Sequence, residues 1–200
     1  MKWIGLTGGI ATGKSTAKKL FEGLGAKTID ADLVAHAVTA VGAEGYEKVV
    51  SHFGKSFLQP DQSLDRKKLA TLIFKDKIQR FKLEELLHPL IKKEVALQKG
   101  RFAQNGATLC IYDMPLLFEK NLRLEFDASV LIWCDRQQQQ TRLMTRSQLT
   151  LEEAEARIQS QMRLIEKVKL ADHCIDNSTD ENQLALQVVN LYQTLVSVST

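Results

Sequence analysis

The sequence predicts an α/β fold in which a five-stranded parallel sheet is flanked by helices. Two observations support this prediction: short apolar runs recur along the chain, and amphipathic segments with helical periodicity separate them. Alternating strands and helices form parallel sheets that are covered on both faces, so right-handed crossovers are expected. The candidate strands are residues 2–7, 27–30, 108–113, 129–134 and 172–176.

Two intervals between the candidate strands are longer than a crossover requires and are rich in helical patterns. The first contains four helical segments, and the second carries many charges and includes a helix capped by Thr150 with acidic residues in its first turn. We interpret both as insertions into one core. The predicted parts are a core of residues 1–30, 108–142 and 171–200, a helical lobe of residues 31–107 and a second insertion of residues 143–170.

The composition is that of a globular protein, with 200 residues, 44% hydrophobic and 26% charged. A net charge of +3 suits small anionic substrates without requiring nucleic acid.

Cys110, Cys134 and Cys174 end apolar runs and form no C-x-x-C pattern, which indicates buried thiols in a reducing compartment. No apolar run approaches the ~20 residues of a membrane span. We expect a cytoplasmic monomer or weak homo-oligomer with no nucleic-acid or membrane partner.

The stretch GLTGGIATGKST, residues 5–16, contains the pattern G-x-x-x-x-G-K-[ST] in Gly8, Gly13, Lys14 and Ser15. It follows a predicted strand and leads into a predicted helix, as a P-loop requires. Glycines let backbone N–H groups converge on phosphates, and the helix N-terminus adds positive potential. The motif predicts that Lys14 contacts the β- and γ-phosphates and that the Ser15 hydroxyl ligates Mg²⁺.

Acidic residues follow two of the predicted strands. Asp30 and Asp32 come after the second strand; either one can act on a substrate hydroxyl, and either can instead cap the following helix. Asp113 ends the third strand, where it either ligates Mg²⁺ through water or is simply a polar residue at a strand end. Pro115 cannot continue a central ladder, so this strand must end before it.

Arg142 and Arg146 lie four residues apart on one face of a predicted helix. Like charges at this spacing repel unless an anion lies between them, which favours a phosphate clamp. The alternative is that both cations complement a helix C-terminus. His88, beside Pro89 in a helical pattern, is by itself typical of a structural residue that is either packed or associated with a kink.

Several motifs occur in an order that resembles the dephospho-CoA kinase family. They are LTGGIATGKST, IDADLVAH, LLHPLI, PLLFE, the Q-x-x-R-x-x-x-R of residues 139–146, RIQSQ and ADHCIDN, which together span nearly the whole chain. The resemblance implies a P-loop kinase fold with a helical lobe that binds the CoA substrate and a lid. It also implies transfer of the γ-phosphate of ATP to the ribose 3′-hydroxyl of dephospho-CoA, the final step of CoA biosynthesis.

The same resemblance implies roles for individual residues. Lys14, Asp32 and Arg142 are expected to be catalytic, with Asp32 as the base or the group that orients the hydroxyl. Residues 143–170 are expected to form the lid. The residues implied in ATP binding are Ala11, Thr12, Gly13, Lys14, Ser15, Thr16, Arg146 and Asn177, with Asn177 near the adenine. The residues implied in substrate binding are Asp32, His36, His88 and Glu119; His36 stands where the family usually has arginine.

Another small-molecule P-loop kinase, of the shikimate or nucleoside type, is the alternative. The length of the lobe at residues 31–107 and the LLHPLI motif disfavour it. A GTPase is disfavoured because the sequence has no N-K-x-D motif for reading the base.

Overall fold

The computed structural model describes residues 1–197, and within that range it contains five strands and nine α-helices. The strands are β1 (Lys2–Gly8), β2 (Lys27–Asp30), β3 (Leu109–Asp113), β4 (Ala128–Trp133) and β5 (His173–Asp176). The helices are α1 (Lys14–Gly23), α2 (Ala31–Val38), α3 (Glu44–Phe53), α4 (Arg66–Lys75), α5 (Lys77–Gln104), α6 (Arg136–Ser147), α7 (Leu151–Gln159), α8 (Leu164–Leu170) and α9 (Glu181–Ser197).

The strands form one sheet in the order β2-β3-β1-β4-β5. β1 is central and pairs in parallel with β3 on one side and β4 on the other, so that Leu6 lies opposite both Asp113 and Val130. β4 pairs in parallel with β5. The predicted five-stranded parallel sheet is therefore confirmed. β3 ends at Asp113, two residues before Pro115, as the sequence predicts.

Burial along the strands explains their positions in the sheet. All five residues of β3 are buried, as are all those of β1 except Lys2, because helices cover both faces of a parallel sheet. β2 and β5 lie at the edges and are only partly buried. The prediction of buried thiols holds for Cys110 and Cys134 but is wrong for Cys174, which is exposed on the edge strand β5.

The chain divides into two compact units. Unit 1 comprises residues 1–28 and 102–200, and unit 2 comprises residues 29–101. The core of unit 1 packs apolar side chains of the sheet against α1 and α9; its largest members include Ile4, Leu6, Phe21, Leu109 and Ile132. Unit 2 has its own smaller core of Tyr46, Val49, Leu64 and Leu69. Each unit thus buries its own apolar cluster.

The segment that follows β4 consists of three successive helices, α6, α7 and α8. α7 begins with a capping box in which the Thr150 side chain accepts from the backbone N–H of Glu153 and the Glu153 side chain accepts from that of Thr150, so the predicted cap is confirmed. Leu143, Ala154 and Ile158 form a buried cluster between α6 and α7. Among residues 1–197, no helix has the length and apolar character needed to cross a bilayer.

Candidate active site

The P-loop, residues 8–15, connects β1 to α1, and close approaches explain its two motif glycines. Gly13 has φ +88°, and a Cβ there would lie 2.0 Å from the Asn177 Nδ2. A Cβ at Gly8 would lie 2.7 Å from the Thr12 Oγ1 and 3.0 Å from a carbonyl oxygen of β4. Because the first N–H groups of a helix lack intrahelical partners, the start of α1 is suited to bind an anion.

Three side-chain amides hold the P-loop backbone. The Gln139 Nε2 donates to the Ile10 carbonyl at 2.8 Å, and the Ile10 N–H donates to the Gln161 Oε1 at 2.8 Å. The Asn177 Nδ2 donates to the Thr12 carbonyl at 2.8 Å. Gln139 and Asn177 are buried, at 2% and 7% exposure. These amides come from α6, from the loop after α7 and from the residue after β5, so separate elements converge on one loop.

Lys14 and Lys18, one turn apart on α1, both bind the carboxylate of Asp113. Lys14 pairs with Oδ1, and the Lys18 Nζ lies 3.1 Å from Oδ2. Asp113 is buried, and the end of β3 places it beside β1. A buried carboxylate requires such partners, since an unpaired buried charge is strongly destabilising.

The residues predicted to hold Mg²⁺ are compatible with that ion. Mg²⁺ prefers oxygen ligands and is commonly shared between one or two protein groups, phosphates and water. Ser15 lies in the first turn of α1, and Asp113 supplies a carboxylate whose two oxygens already accept from lysines. In residues 1–197 no cluster of three or more His, Cys, Asp or Glu is arranged to hold a metal. The roles of Ser15 and Asp113 stay predictions.

Arg142 and Arg146 both lie on α6, whose N-terminus follows β4. Arg142 lies beside Cys134: burial raises the pKa of that thiol, although the nearby guanidinium opposes the rise. The Arg142 Nη1 is buried and has no hydrogen-bond partner within the described part of the chain. Arg146 is exposed one turn later. A buried guanidinium nitrogen without a partner is costly, so an anionic ligand at this position would satisfy it.

Glu119 is paired inside unit 1. Its Oε1 lies 2.7 Å from the Lys167 Nζ and accepts from the Met162 N–H at 3.3 Å. Lys167 is fully buried on α8 and also donates to the Pro115 carbonyl at 3.2 Å. The Glu119 Oε2 is buried and has no hydrogen-bond partner in the described residues. The pair connects α8 to the segment after β3, and the substrate-binding role of Glu119 stays a prediction.

Asp30 and Asp32 differ in their structural roles at the start of α2. The Asp30 Oδ1 accepts from the N–H groups of Asp32 and Leu33 at 3.0 and 3.1 Å, so Asp30 is the N-cap. The Asp32 side chain is exposed in the first turn. His36 is exposed four residues later and therefore lies on the same face of α2 as Asp32.

His88 lies on α5 in unit 2, where its side chain is exposed. Of the two structural interpretations of His88, packing is therefore wrong, whereas association with a kink at Pro89 stays a prediction. Its substrate-binding role, like those of Asp32 and His36, stays a prediction.

A cavity of about 590 Å³ adjoins the P-loop in unit 1. Gly9 lies at one side of it, Cys134 and Asp135 follow β4 on another, and Met162 and Leu164 line the side near α8. The cavity therefore lies at the carboxyl end of β4, the edge at which open α/β sheets bind ligands.

Four side chains at this site have no role predicted from the sequence: Lys18, Gln139, Gln161 and Lys167. Gln139 and Gln161 fall within motifs that the sequence shares with the resembled family, the Q-x-x-R-x-x-x-R and RIQSQ stretches, so those motifs could have identified them. Lys18 is one helical turn after Lys14, a spacing that also signals a shared face. Lys167 carries no such signal, because lysines in a charged helix are usually exposed.

The chain matches the family model described as dephospho-CoA kinase over residues 2–183. The dephospho-CoA kinase of Listeria innocua is 41% identical over 196 residues, which cover 98% of each chain. Among solved structures, TT1252 from Thermus thermophilus aligns with a TM-score of 0.85 and 28% identity, covering 100% of this chain and 98% of that one. The dephospho-CoA kinase from Campylobacter jejuni aligns with a TM-score of 0.63 and 30% identity, covering 98% of each chain. The P-loop geometry and these similarities agree, and the chain belongs to the dephospho-CoA kinase family.

Proposed function

We propose that this protein transfers the γ-phosphoryl group of ATP to the ribose 3′-hydroxyl of dephospho-CoA, the final step of CoA biosynthesis. The observation that carries the proposal is the P-loop held at the carboxyl edge of the sheet in a chain that belongs to this kinase family over residues 2–183. A kinase of the shikimate or nucleoside type is not favoured, because the family model and the relative from Listeria innocua both carry the dephospho-CoA kinase description.

The P-loop binds the triphosphate in this proposal. Residues 11–16 surround the phosphates and donate from backbone N–H groups at the start of α1, and Lys14 leaves Asp113 to contact the β- and γ-phosphates. Lys18 stays with the Asp113 Oδ2 at 3.1 Å, so the buried carboxylate keeps a cationic partner when Lys14 moves. Arg142 and Arg146 add positive charge from α6, and Asn177 lies near the adenine.

At the γ-phosphorus the transfer forms one bond and breaks one bond. The 3′-oxygen of dephospho-CoA attacks the γ-phosphorus, and the bond from that phosphorus to the β,γ-bridging oxygen breaks to release ADP. Asp32 orients the hydroxyl and accepts its proton. Its exposed carboxylate is free of the capping role, which Asp30 fills. Arg142 and Lys14 stabilise the charge on the transferring group.

The substrate contacts and the metal complete the proposal. His36, His88 and Glu119 contact dephospho-CoA. Mg²⁺, with Ser15 as a ligand and Asp113 acting through water, would neutralise charge on the phosphates. We also propose a cytoplasmic location and a monomeric or weakly self-associating state, with neither nucleic acid nor a membrane as partner.

A coupled assay that detects ADP tests the function directly. The purified protein is incubated with ATP and Mg²⁺, and with dephospho-CoA, adenosine or shikimate as the acceptor. We expect turnover with dephospho-CoA that exceeds turnover with either other acceptor by at least about a hundredfold, because specific contacts stabilise only the correct transition state. Equal turnover with all three, or preference for shikimate or adenosine, would overturn the proposal. Omitting Mg²⁺ is expected to abolish turnover.

A further inference from the structure

Ala11 adopts a backbone conformation that an alanine disfavours. Its φ is +60°, in the left-handed region where a Cβ clashes with the neighbouring backbone. Such a conformation persists only when the surrounding structure restrains it, and it is common at active sites and ligand-binding sites. In this chain the strained residue lies inside the P-loop, directly before the buried Thr12.

The hydrogen bonds on either side of Ala11 supply this restraint. Both backbone polar groups of Ile10 are bound, the N–H by Gln161 and the carbonyl by Gln139, each at 2.8 Å. On the other side, Asn177 binds the Thr12 carbonyl, also at 2.8 Å. Gln139 therefore anchors the peptide group directly before Ala11, and Gln161 and Asn177 anchor the Ile10 N–H and the Thr12 carbonyl one peptide further out on either side. These side chains come from three separate elements.

The burial of two of these three amide side chains favours a single, fixed conformation of the loop. Gln139 and Asn177 are more than nine-tenths buried, and breaking a buried hydrogen bond leaves a polar group without a partner. Gly13 permits the close approach of Asn177, since a Cβ there would lie 2.0 Å from the Asn177 Nδ2. Ile10 and Ala11 also pack against the apolar cluster between α6 and α7.

We propose that Gln139, Gln161 and Asn177 are positioning residues that keep the P-loop in its strained, phosphate-binding conformation before ATP arrives. Without them Ala11 relaxes to negative φ, and the amides that follow it turn away from the phosphates. A site that is already in the bound conformation avoids the free-energy cost of ordering the loop on binding. Gln161, which lies within residues 143–170, makes the conformation of the P-loop depend on the position of the predicted lid. The inference rests on the proposed binding of ATP to this loop.

The test uses Gln161→Met, which keeps the length of the side chain but removes the acceptor for the Ile10 N–H. The dissociation constant of a non-hydrolysable ATP analogue is measured by calorimetry with Mg²⁺ present. We expect it to rise about tenfold, the equivalent of one lost hydrogen bond. The KM for dephospho-CoA should change less than the KM for ATP. Gln193→Met, at an exposed glutamine of α9, is the matched control and should bind the analogue as the unaltered protein does.

A second substitution separates positioning from general stability. Glycine populates left-handed and right-handed conformations about equally, so Ala11→Gly should restore the phosphate-binding conformation in part when combined with Gln161→Met. We expect the dissociation constant of the double variant to return to within about threefold of the starting value. Gln139→Met, which removes the donor to the Ile10 carbonyl, should behave in the same way and serves as a second test if Gln161→Met does not fold.

Two outcomes would overturn the inference. One is an unchanged dissociation constant in a folded Gln161→Met or Gln139→Met protein. The other is weakened binding that Ala11→Gly leaves unrestored, because the loss would then not arise from the backbone at Ala11. Binding of the analogue needs no acceptor, so a failure of the proposed reaction with dephospho-CoA would be seen separately.

Discussion

At the scale of single residues, Lys14 and Lys18 share the buried carboxylate of Asp113. We predict that Lys14→Ala lowers kcat by about two to three orders of magnitude, because it removes a charge that stabilises the transferring phosphoryl group. The fold should survive, since Lys18 still neutralises Asp113. The ADP-coupled assay measures the loss, and thermal unfolding checks the fold. Lys19→Ala, at the exposed neighbour of Lys18, is the control and should keep full activity. Near-normal turnover in a folded Lys14→Ala protein would contradict the assignment.

Asp30 and Asp32 provide a second test at this scale, because the structure gives only Asp30 a capping role. We predict that Asp32→Asn lowers kcat by about a hundredfold or more while the affinity for the ATP analogue stays unchanged, since a group acting on the acceptor hydroxyl does not contact the nucleotide. Asp30→Asn should lower kcat only slightly, because asparagine is as good an N-cap as aspartate. Steady-state kinetics with both substrates varied would show the reverse result if the two roles were exchanged.

At the scale of elements, Asp172 connects the loop before β5 to β4. Its Oδ2 accepts from the Ser129 N–H at 2.8 Å and from the Ser129 hydroxyl at 2.6 Å, and it pairs with Arg123. Burial alone would raise the pKa of Asp172, but the hydrogen bonds from Arg123 and Ser129 outweigh it and lower that pKa to about 2. The pKa in the unfolded chain is about 3.9, so the carboxylate stabilises the fold fully above about pH 4, and this stabilisation is lost as the pH falls toward 2.

We predict that Asp172→Asn lowers the free energy of unfolding by about 1 kcal/mol at pH 7, a modest amount because the side chain is 35% exposed and its charge is screened by solvent. The difference between the two proteins should shrink between pH 4 and pH 2, where the native carboxylate becomes protonated. Urea unfolding at a series of pH values measures this difference. A difference that stayed constant down to pH 2 would show that Asp172 does not stabilise the fold through its charge.

The predicted lid, residues 143–170, is the second test at the element scale. Arg142 has a buried guanidinium nitrogen without a hydrogen-bond partner in the described residues, and Arg146 is exposed, so bound phosphates can supply contacts that the free protein lacks. We predict that hydrogen exchange across residues 143–170 slows when the ATP analogue and dephospho-CoA are added together. Equal exchange with and without ligands would indicate that α7 and α8 are fixed in place. Arg142→Ala should abolish most of the added protection and lower kcat.

At the scale of the whole molecule, unit 1 carries the P-loop and unit 2 carries Asp32, His36 and His88. A ligand that binds only the folded state stabilises it by about 2.7 kcal/mol at one hundred times its dissociation constant. We predict that the ATP analogue at this excess raises the Tm by about 5–10 °C, the shift expected for a chain of this size. Scanning calorimetry measures it. The analogue at the same concentration should raise the Tm of Lys14→Ala less, and an equal shift would place the nucleotide away from the P-loop.

Features that depend on interactions between neighbouring residues can be predicted from the sequence. Short apolar runs that alternate with segments of helical periodicity predict the five strands to within one residue of their observed ends. The reason is that the buried face of each strand or helix must be apolar, which gives the sequence a repeating pattern. The P-loop is predicted from the spacing of Gly8, Gly13, Lys14 and Ser15, since only glycine tolerates the close approaches seen there. The end of β3 before Pro115 and the helix cap at Thr150 also depend only on neighbouring residues, so the sequence predicts them as well.

Contacts between groups far apart in the chain depend instead on how the elements pack together. The strand order β2-β3-β1-β4-β5 depends on how the elements pack, and no local signal states it. The hydrogen bonds from the Ile10 N–H to Gln161 and from Asn177 to the Thr12 carbonyl join residues 151 and 165 positions apart in the chain. Lys167 is fully buried because α8 packs over Glu119 and the Pro115 carbonyl, whereas the sequence around it is that of a charged surface helix. Such contacts form only when several elements have assembled, so the pattern of any one segment cannot predict them.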